Sequence, residues 1–304
     1  MTENKGIVLI LATAVISGVA IFVNKEFGVK VINPYIFTGL KNIVVALMVT
    51  GLIVAAKDKN LLKQPSSKQW VQLVLGVGLI GGAIPFLLFF KGLSLTSAVQ
   101  AAFIHKTMVV FVCVLAVLFL KERISRGLWI CILVLTVSNT FLLKALGYEL
   151  NLGSFLILIA TILWAVENVL SKHLLKSLPS RIVIWARMTF GSFFIILFLL
   201  ATGQAHLVAS LSLSQVGWTL LSAVILFGYV VTWYTGLKYV RVSIAAAILM
   251  IGSTITSILT ILFSGQEITV VQSIVALIDS LIIGFIVWTF FGMITMPFPK
   301  RFAA

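Results

Sequence analysis

Ten stretches of this sequence stay apolar for about 20 residues apiece, the length an α-helix needs to cross the roughly 30 Å hydrocarbon layer of a membrane. They cover residues 6–23, 34–56, 70–90, 97–120 and 128–143, then 153–171, 180–202, 216–237, 243–263 and 270–291. Lipid offers backbone N–H and C=O groups no partners, so only helices and closed barrels span it. These runs lack the period-two alternation of a barrel strand, which leaves helices. The expected fold is an all-α integral membrane protein with ten transmembrane helices. With 61% apolar and 10% charged residues, the chain leaves no segment for a soluble domain between the spans.

The linkers are short. The longest, 57–69, carries KDKNLLKQPSSK and reads as a solvated loop. The amino-terminal MTENKGIVLILATAVISGV is expected to be the first span, because its apolar run is long for a signal peptide and no small-x-small cleavage site follows. Cys113 and Cys131 both fall within spans, which gives neither a disulfide framework nor a zinc site.

A formal charge of +14 raises the question of nucleic acid, and its distribution answers it. If the N-terminus is cytoplasmic, the inside segments collect fifteen of the 22 basic residues: Lys5, Lys57, Lys59, Lys63, Lys68, Lys121, Arg123, Arg126, Lys172, Lys176, Arg181, Lys238, Arg241, Lys300 and Arg301. That bias is the positive-inside signature, so both termini are expected in the cytoplasm and no nucleic-acid partner is implied. The expected location is the inner or plasma membrane.

The chain also repeats itself. A shift of 144 residues aligns KGLSLTSAVQAAF, from Lys91, with TGLKYVRVSIAAA, from Thr235, so that Gly92 meets Gly236, Leu93 meets Leu237 and Phe119 meets Phe263. At slightly different offsets Lys25 meets Lys172, Lys41 meets Arg187 and Ala20 meets Glu167. The two units, 1–147 and 148–304, have five spans each. An odd number makes the second copy enter the membrane from the opposite side, and such inverted repeats provide two related conformations, open to either face, around a site near the midplane.

Ten spans in two five-span halves, the helix ends LFLKERIS and LFSGQEIT with Glu122 and Glu267, and basic Lys41 and Arg187 in the second span of each half resemble the EamA family of the drug/metabolite transporter superfamily. The chain departs from the family's pattern in lacking a proline early in the fourth and ninth spans. It also has Ser-Gly in the first span where many members have Trp-Gly, although Trp164 in the sixth keeps half of that pair. The resemblance implies a transporter, mostly of outward direction, for amino acids, other small metabolites or toxic organic compounds.

A charge at mid-bilayer costs roughly 2.5–3.5 kcal/mol on insertion scales, so each buried one needs a partner or a cavity. Lys106 sits about 13 Å into its span, near the midplane, on a strip of small residues with Ala102. Its counterpart is Met250, which suits an asymmetric cargo with a carboxylate at one end. The competing reading is an ammonium neutralised or paired inside the protein. Neighbouring His105 is read either as a polar interhelical contact or as a proton carrier. Lys41 has no acid at the place corresponding to Glu167, leaving cargo contact or snorkelling open.

Glu167 and Arg187 lie at similar depths, which favours a structural ion pair over proton coupling. Asp279, also near mid-depth, is a further candidate partner or proton carrier. Phe86, Phe89 and Phe90 in the third span, with Tyr229, Trp233 and Tyr234 in the eighth, are candidate cavity walls alongside Trp164, or plain packing. Pro85 after Gly81-Gly82 predicts a kink that frees backbone carbonyls.

No HExxH, phosphate-binding glycine loop or DxxxD diphosphate signature occurs, and no ATP-binding domain is present. The expected function is therefore cofactor-free secondary transport of a small organic metabolite, such as an amino acid or related carboxylate, by a monomer or homodimer. Efflux of lipophilic cations and an intramembrane enzyme acting on a lipid-linked substrate are the alternatives.

Overall fold

The computed structural model describes residues 3–56, 60–145 and 150–264, with 270, 274, 277–278, 281–282 and 284–285. Its regular structure over these residues is all helix. Eight helices are long and apolar enough to cross a membrane: α1 (Glu3–Val29), α2 (Pro34–Ala55), α3 (Ser67–Leu95), α4 (Ala98–Leu120), α6 (Leu152–Leu174), α7 (Ser180–Ala201), α8 (Leu213–Tyr239) and α9 (Val242–Phe263). Between α4 and α6 runs α5 (Arg126–Ala145), which is apolar over a shorter stretch. Most of the tenth apolar run, including Asp279, lies outside the described residues.

Helix starts are written locally. Asn33 accepts hydrogen bonds from the amides of Tyr35 and Ile36, with Pro34 opening α2. Ser66 with Gln69 and Ser212 with Gln215 form capping boxes at α3 and α8. Departures from α geometry fall beside the cavity described below. The last turn of α1, Asn24–Val29, is π-helical, and so is Gln72–Gly81 within α3. Pro85 cannot donate to the Gly81 carbonyl. Trp164 Nε1 donates to it instead, at 2.9 Å, while Asn42 Nδ2 reaches the next carbonyl, Gly82 O, at 3.4 Å.

The packing partners pair off under exchange of halves. α1 packs on α8 as α3 packs on α6, α2 packs on α7, and α4 packs on α6 as α9 packs on α1. α4 breaks at Thr107 and α9 at Met250, one position apart in the 144-residue register. The first half of α4 meets the second half of α9 and the reverse, so the two run antiparallel. The α1–α8 and α3–α6 crossings sit on corresponding glycines. A Cβ on Gly236 would lie 2.9 Å from Gly6 O, and one on Gly92 2.7 Å from Gly153 O. Gly92→Val is therefore expected to push α3 off α6 and destabilise the protein by about 1–3 kcal/mol. An unchanged melting temperature in detergent would contradict so close a crossing.

Large apolar side chains cover the outside: Leu118 and Phe119 on α4, with Leu262 and Phe263 on α9, are 66–73% exposed. In water such a surface would aggregate, whereas in lipid it is the proper solvent-facing layer.

Candidate functional site

A cavity lies where α1, α2, α3, α4, α6, α7 and α8 converge. It encloses ≈ 660 Å³ of empty space including its mouth. α1 contributes Ser17, Ala20, Ile21 and Asn24, α2 contributes Lys41, and α3 contributes Phe86, Phe89 and Phe90. His105 and Met108 enter from α4, Trp164 and Asn168 from α6, Arg187 from α7, and Ser222, Leu226 and Tyr229 from α8. The wall thus combines five aromatic rings (Phe86, Phe89, Phe90, Trp164 and Tyr229) and a few aliphatic side chains with polar and cationic groups, a mixture suited to a small-molecule site.

Two cations share this cavity and are compensated very differently. Arg187 donates to Glu167 Oε2 at 3.1 Å and to Tyr234 Oη, while Glu167 Oε1 accepts from Tyr234 Oη at 2.6 Å and from Ser171 Oγ. This cluster is buried, which satisfies the carboxylate with three donors. Lys41, only 1% exposed, has no carboxylate partner among the described residues. Its Nζ instead lies 3.5 Å from the Phe90 ring centroid, 4.9 Å from that of Phe37 and 5.8 Å from that of Phe86. The Arg187 Cζ sits 5.4 Å from that same Phe86 ring. Snorkelling of Lys41 toward the membrane face, one of its two sequence readings, does not occur.

His105 projects into the cavity with its ring edge-on to Trp164 and Phe89, centroids 5.1 and 5.4 Å away, and its Nδ1 has no hydrogen-bond partner. Ser222 Oγ is likewise unpartnered.

Other residues singled out from the sequence are placed elsewhere. Lys106 does not line this cavity but a second, more apolar pocket with Phe103, Ser154 and Met250, and its Nζ donates to Leu249 O at 2.7 Å and to Ser17 Oγ at 3.4 Å, pinning the break of α4 to the break of α9. The small-residue strip indicated the correct interior direction, and what the ammonium meets there is a helix-end carbonyl. Gly252 makes room for this ammonium, since a Cβ there would stand 2.7 Å from Nζ. Trp233 and Tyr234 also stay behind the wall: Trp233 Nε1 donates to Asn168 Oδ1 at 3.0 Å, and Tyr234 belongs to the Arg187 cluster. Asp279 lies outside the described residues. Because Lys106 serves a backbone carbonyl, Lys106→Met is expected to lower stability by about 1–3 kcal/mol. Ligand affinity should hold; a selective affinity loss at unchanged melting temperature would place Lys106 in the site after all.

Nothing in the sequence pattern signals how the ends of the helices are tied. Lys25 Nζ caps the end of α3 at Leu93 O, 2.9 Å away, and Lys172 Nζ caps the end of α8 at Leu237 O and Val240 O, 2.8 and 2.7 Å away. Glu122 of LFLKERIS accepts from the amides of Val242 and Ser243 at 3.0 and 3.3 Å, and from Ser243 Oγ at 2.6 Å, capping α9. Glu122→Ala is expected to remove about 1–2 kcal/mol of stability through that cap, read as a lower melting temperature. The Lys172 and Glu122 ties, with Lys238 on Leu178 O at 3.3 Å, join helix ends on the side beyond Arg187. The cavity lining instead continues to Asn24, Lys41, Phe90 and Ser222, near the opposite face.

The sequence profile described as the EamA-like transporter family matches residues 4–143 and again 151–290. A protein named as an uncharacterized transporter from Methanothermobacter thermautotrophicus is 26% identical over 137 residues, covering 43% of this chain and 40% of that one. The match thus spans about two fifths of that relative's length. A solved crystal structure superposes with a TM-score of 0.73 over 97% of this chain and 100% of its own, at 15% identity, a likeness of fold alone.

Proposed function

The chain belongs to the EamA-like transporter family and is a membrane transporter, and from that premise we propose that it carries a small carboxylate-bearing metabolite, such as an amino acid, outward by alternating access. The observation that carries this reading is the ammonium of Lys41, held in an aromatic-walled cavity between the two halves without a carboxylate partner among the described residues. An uncompensated charge in a membrane interior is costly and marks a transport pathway. A guest bringing one negative charge removes that cost.

The two halves are inverted repeats, a reading supported by the antiparallel α4 and α9 and by the matched glycine crossings. Both termini are cytoplasmic and the protein resides in the inner or plasma membrane, in keeping with the distribution of Lys and Arg. In that orientation the cavity faces outward and the Lys172 and Glu122 ties close the cytoplasmic side. A lipophilic cation suits the rings but is opposed by Lys41, and the protein is not an enzyme on this reading.

Purified protein in liposomes, loaded in turn with amino acids, other carboxylates and organic cations, tests the proposal. Carboxylates should cross intact and stabilise the detergent-solubilised protein, because a ligand selective for the native state raises its melting temperature. Stabilisation and flux of cations alone, or recovery of a chemically altered product, would sink it.

A further inference from the structure

The register that pairs Lys25 with Lys172 and Leu93 with Leu237 is written into the fold, since both lysines cap the corresponding carbonyls. Followed through the cavity, it pairs Glu167 with Ala20, Ser171 with Asn24, Arg187 with Lys41 and Tyr234 with Phe90. In the second half these residues form a finished cluster, in which Arg187, Tyr234 and Ser171 all donate to one carboxylate. In the first half all four counterparts line the cavity. The cation is there, stacked on Phe90 as Arg187 stands against Tyr234, at 3.5 and 5.6 Å from the ring centroids. The amide side chain of Asn24 is there, in place of the Ser171 hydroxyl. Two groups are missing: the carboxylate, because Ala20 stops at Cβ, and the phenolic hydroxyl, because Phe90 carries none.

We propose that the transported molecule supplies the first of these: its carboxylate sits over Ala20, paired with Lys41 Nζ and accepting a hydrogen bond from Asn24 Nδ2. The subsite takes a single carboxylate, by analogy with the one that Glu167 provides. The apolar remainder of the guest extends along Phe86 and Phe89 toward Trp164. This inference rests on the transport reading and names the subsite within it. It also explains why the two halves differ: one pair is permanent and holds the closed end together, while the other is completed only when cargo is aboard.

The test uses the full chain in detergent with phenylpropionate and its uncharged isostere, phenylpropionamide, as probes. The acid should raise the melting temperature and the amide should not, and Lys41→Met should weaken the acid's binding at least about tenfold. Ala20→Glu builds the missing carboxylate into the protein. It should be more stable than Ala20→Gln, lose that advantage when combined with Lys41→Met, and no longer respond to the acid. Equal stabilisation by acid and amide overturns the subsite. So does an Ala20→Glu protein no more stable than Ala20→Gln, and neither comparison needs a Lys41 variant to fold. If the protein adds no flux of either probe above that of protein-free liposomes while the acid still stabilises, the transport reading fails and the subsite stands; if it adds equal flux of acid and amide, the reverse holds.

Discussion

Lys41→Met is expected to raise the melting temperature of the purified protein while reducing carboxylate transport about a hundredfold or more. The two effects have one cause. Lys41 is almost fully buried and, among the described residues, is recorded against aromatic faces and no carboxylate; the attraction of such faces for an ammonium is about 0.5–2 kcal/mol, well short of the several kcal/mol that removing an ion from water costs. Methionine fills nearly the same volume, packs well on rings and carries no charge to desolvate. A site kept strained for its guest should gain stability when that guest is renounced. Measuring the melting temperature and liposome flux on the same preparation checks both. A Lys41→Met protein that is less stable yet transports normally would show that the ammonium is a structural element with a partner of its own.

Glu167→Gln is expected to be among the most damaging single substitutions, at about 3–5 kcal/mol, because it strands Arg187 as a buried charge and turns an NH₂ group toward donors. Both oxygens of Glu167 are occupied, by Ser171 and Tyr234 on one and Arg187 on the other, so a neutral glutamine amide can keep these contacts only by reversing the two hydroxyls, and in no orientation does it balance the guanidinium charge. The double variant Glu167→Gln/Arg187→Met should recover most of the loss, since a buried ion pair replaced by neutral groups of similar volume is often close to neutral. Melting temperatures of the two single variants and the double variant complete the cycle. If the double variant is as unstable as Glu167→Gln alone, the carboxylate is needed for the Tyr234 and Ser171 hydrogen bonds rather than to balance Arg187.

Much of this architecture is legible in the order of the amino acids. Run lengths alone demand spanning helices, because an unpaired backbone amide in hydrocarbon costs several kcal/mol. The Glu167–Arg187 pair also follows from sequence, since similar depth and opposite sign leave two desolvated groups few better options. The kink at Pro85 is equally local: a residue without an amide proton cannot bond Gly81, whatever surrounds it.

The two lysines show where such reasoning stops. Lys106 sits at mid-depth on a small-residue face and reads as the cargo-binding cation, whereas Lys41 lies nearer a membrane face and could as well snorkel. The structure places Lys41 in the cavity against aromatic rings and the Lys106 ammonium on Leu249 O. Helical periodicity reports which way a side chain points, but it cannot say whether a void or a carbonyl waits there. The break at Met250 exposes Leu249 O where Lys106 reaches it, and that break depends on α4 and α9 packing against each other. Glu122 is a similar case, visible as part of a motif yet understood only once its carboxylate is seen on the first amides of α9.

By itself, then, the sequence determined that this chain lives in lipid as helices arranged in two related halves, because hydropathy, span length and internal repetition are properties of the chain read in order. Only the tertiary structure decided which buried charge is satisfied by protein and which is left facing a hollow. That distinction depends on groups more than a hundred residues apart meeting within 3 Å, as Lys106 meets Leu249, and no local pattern encodes such a meeting.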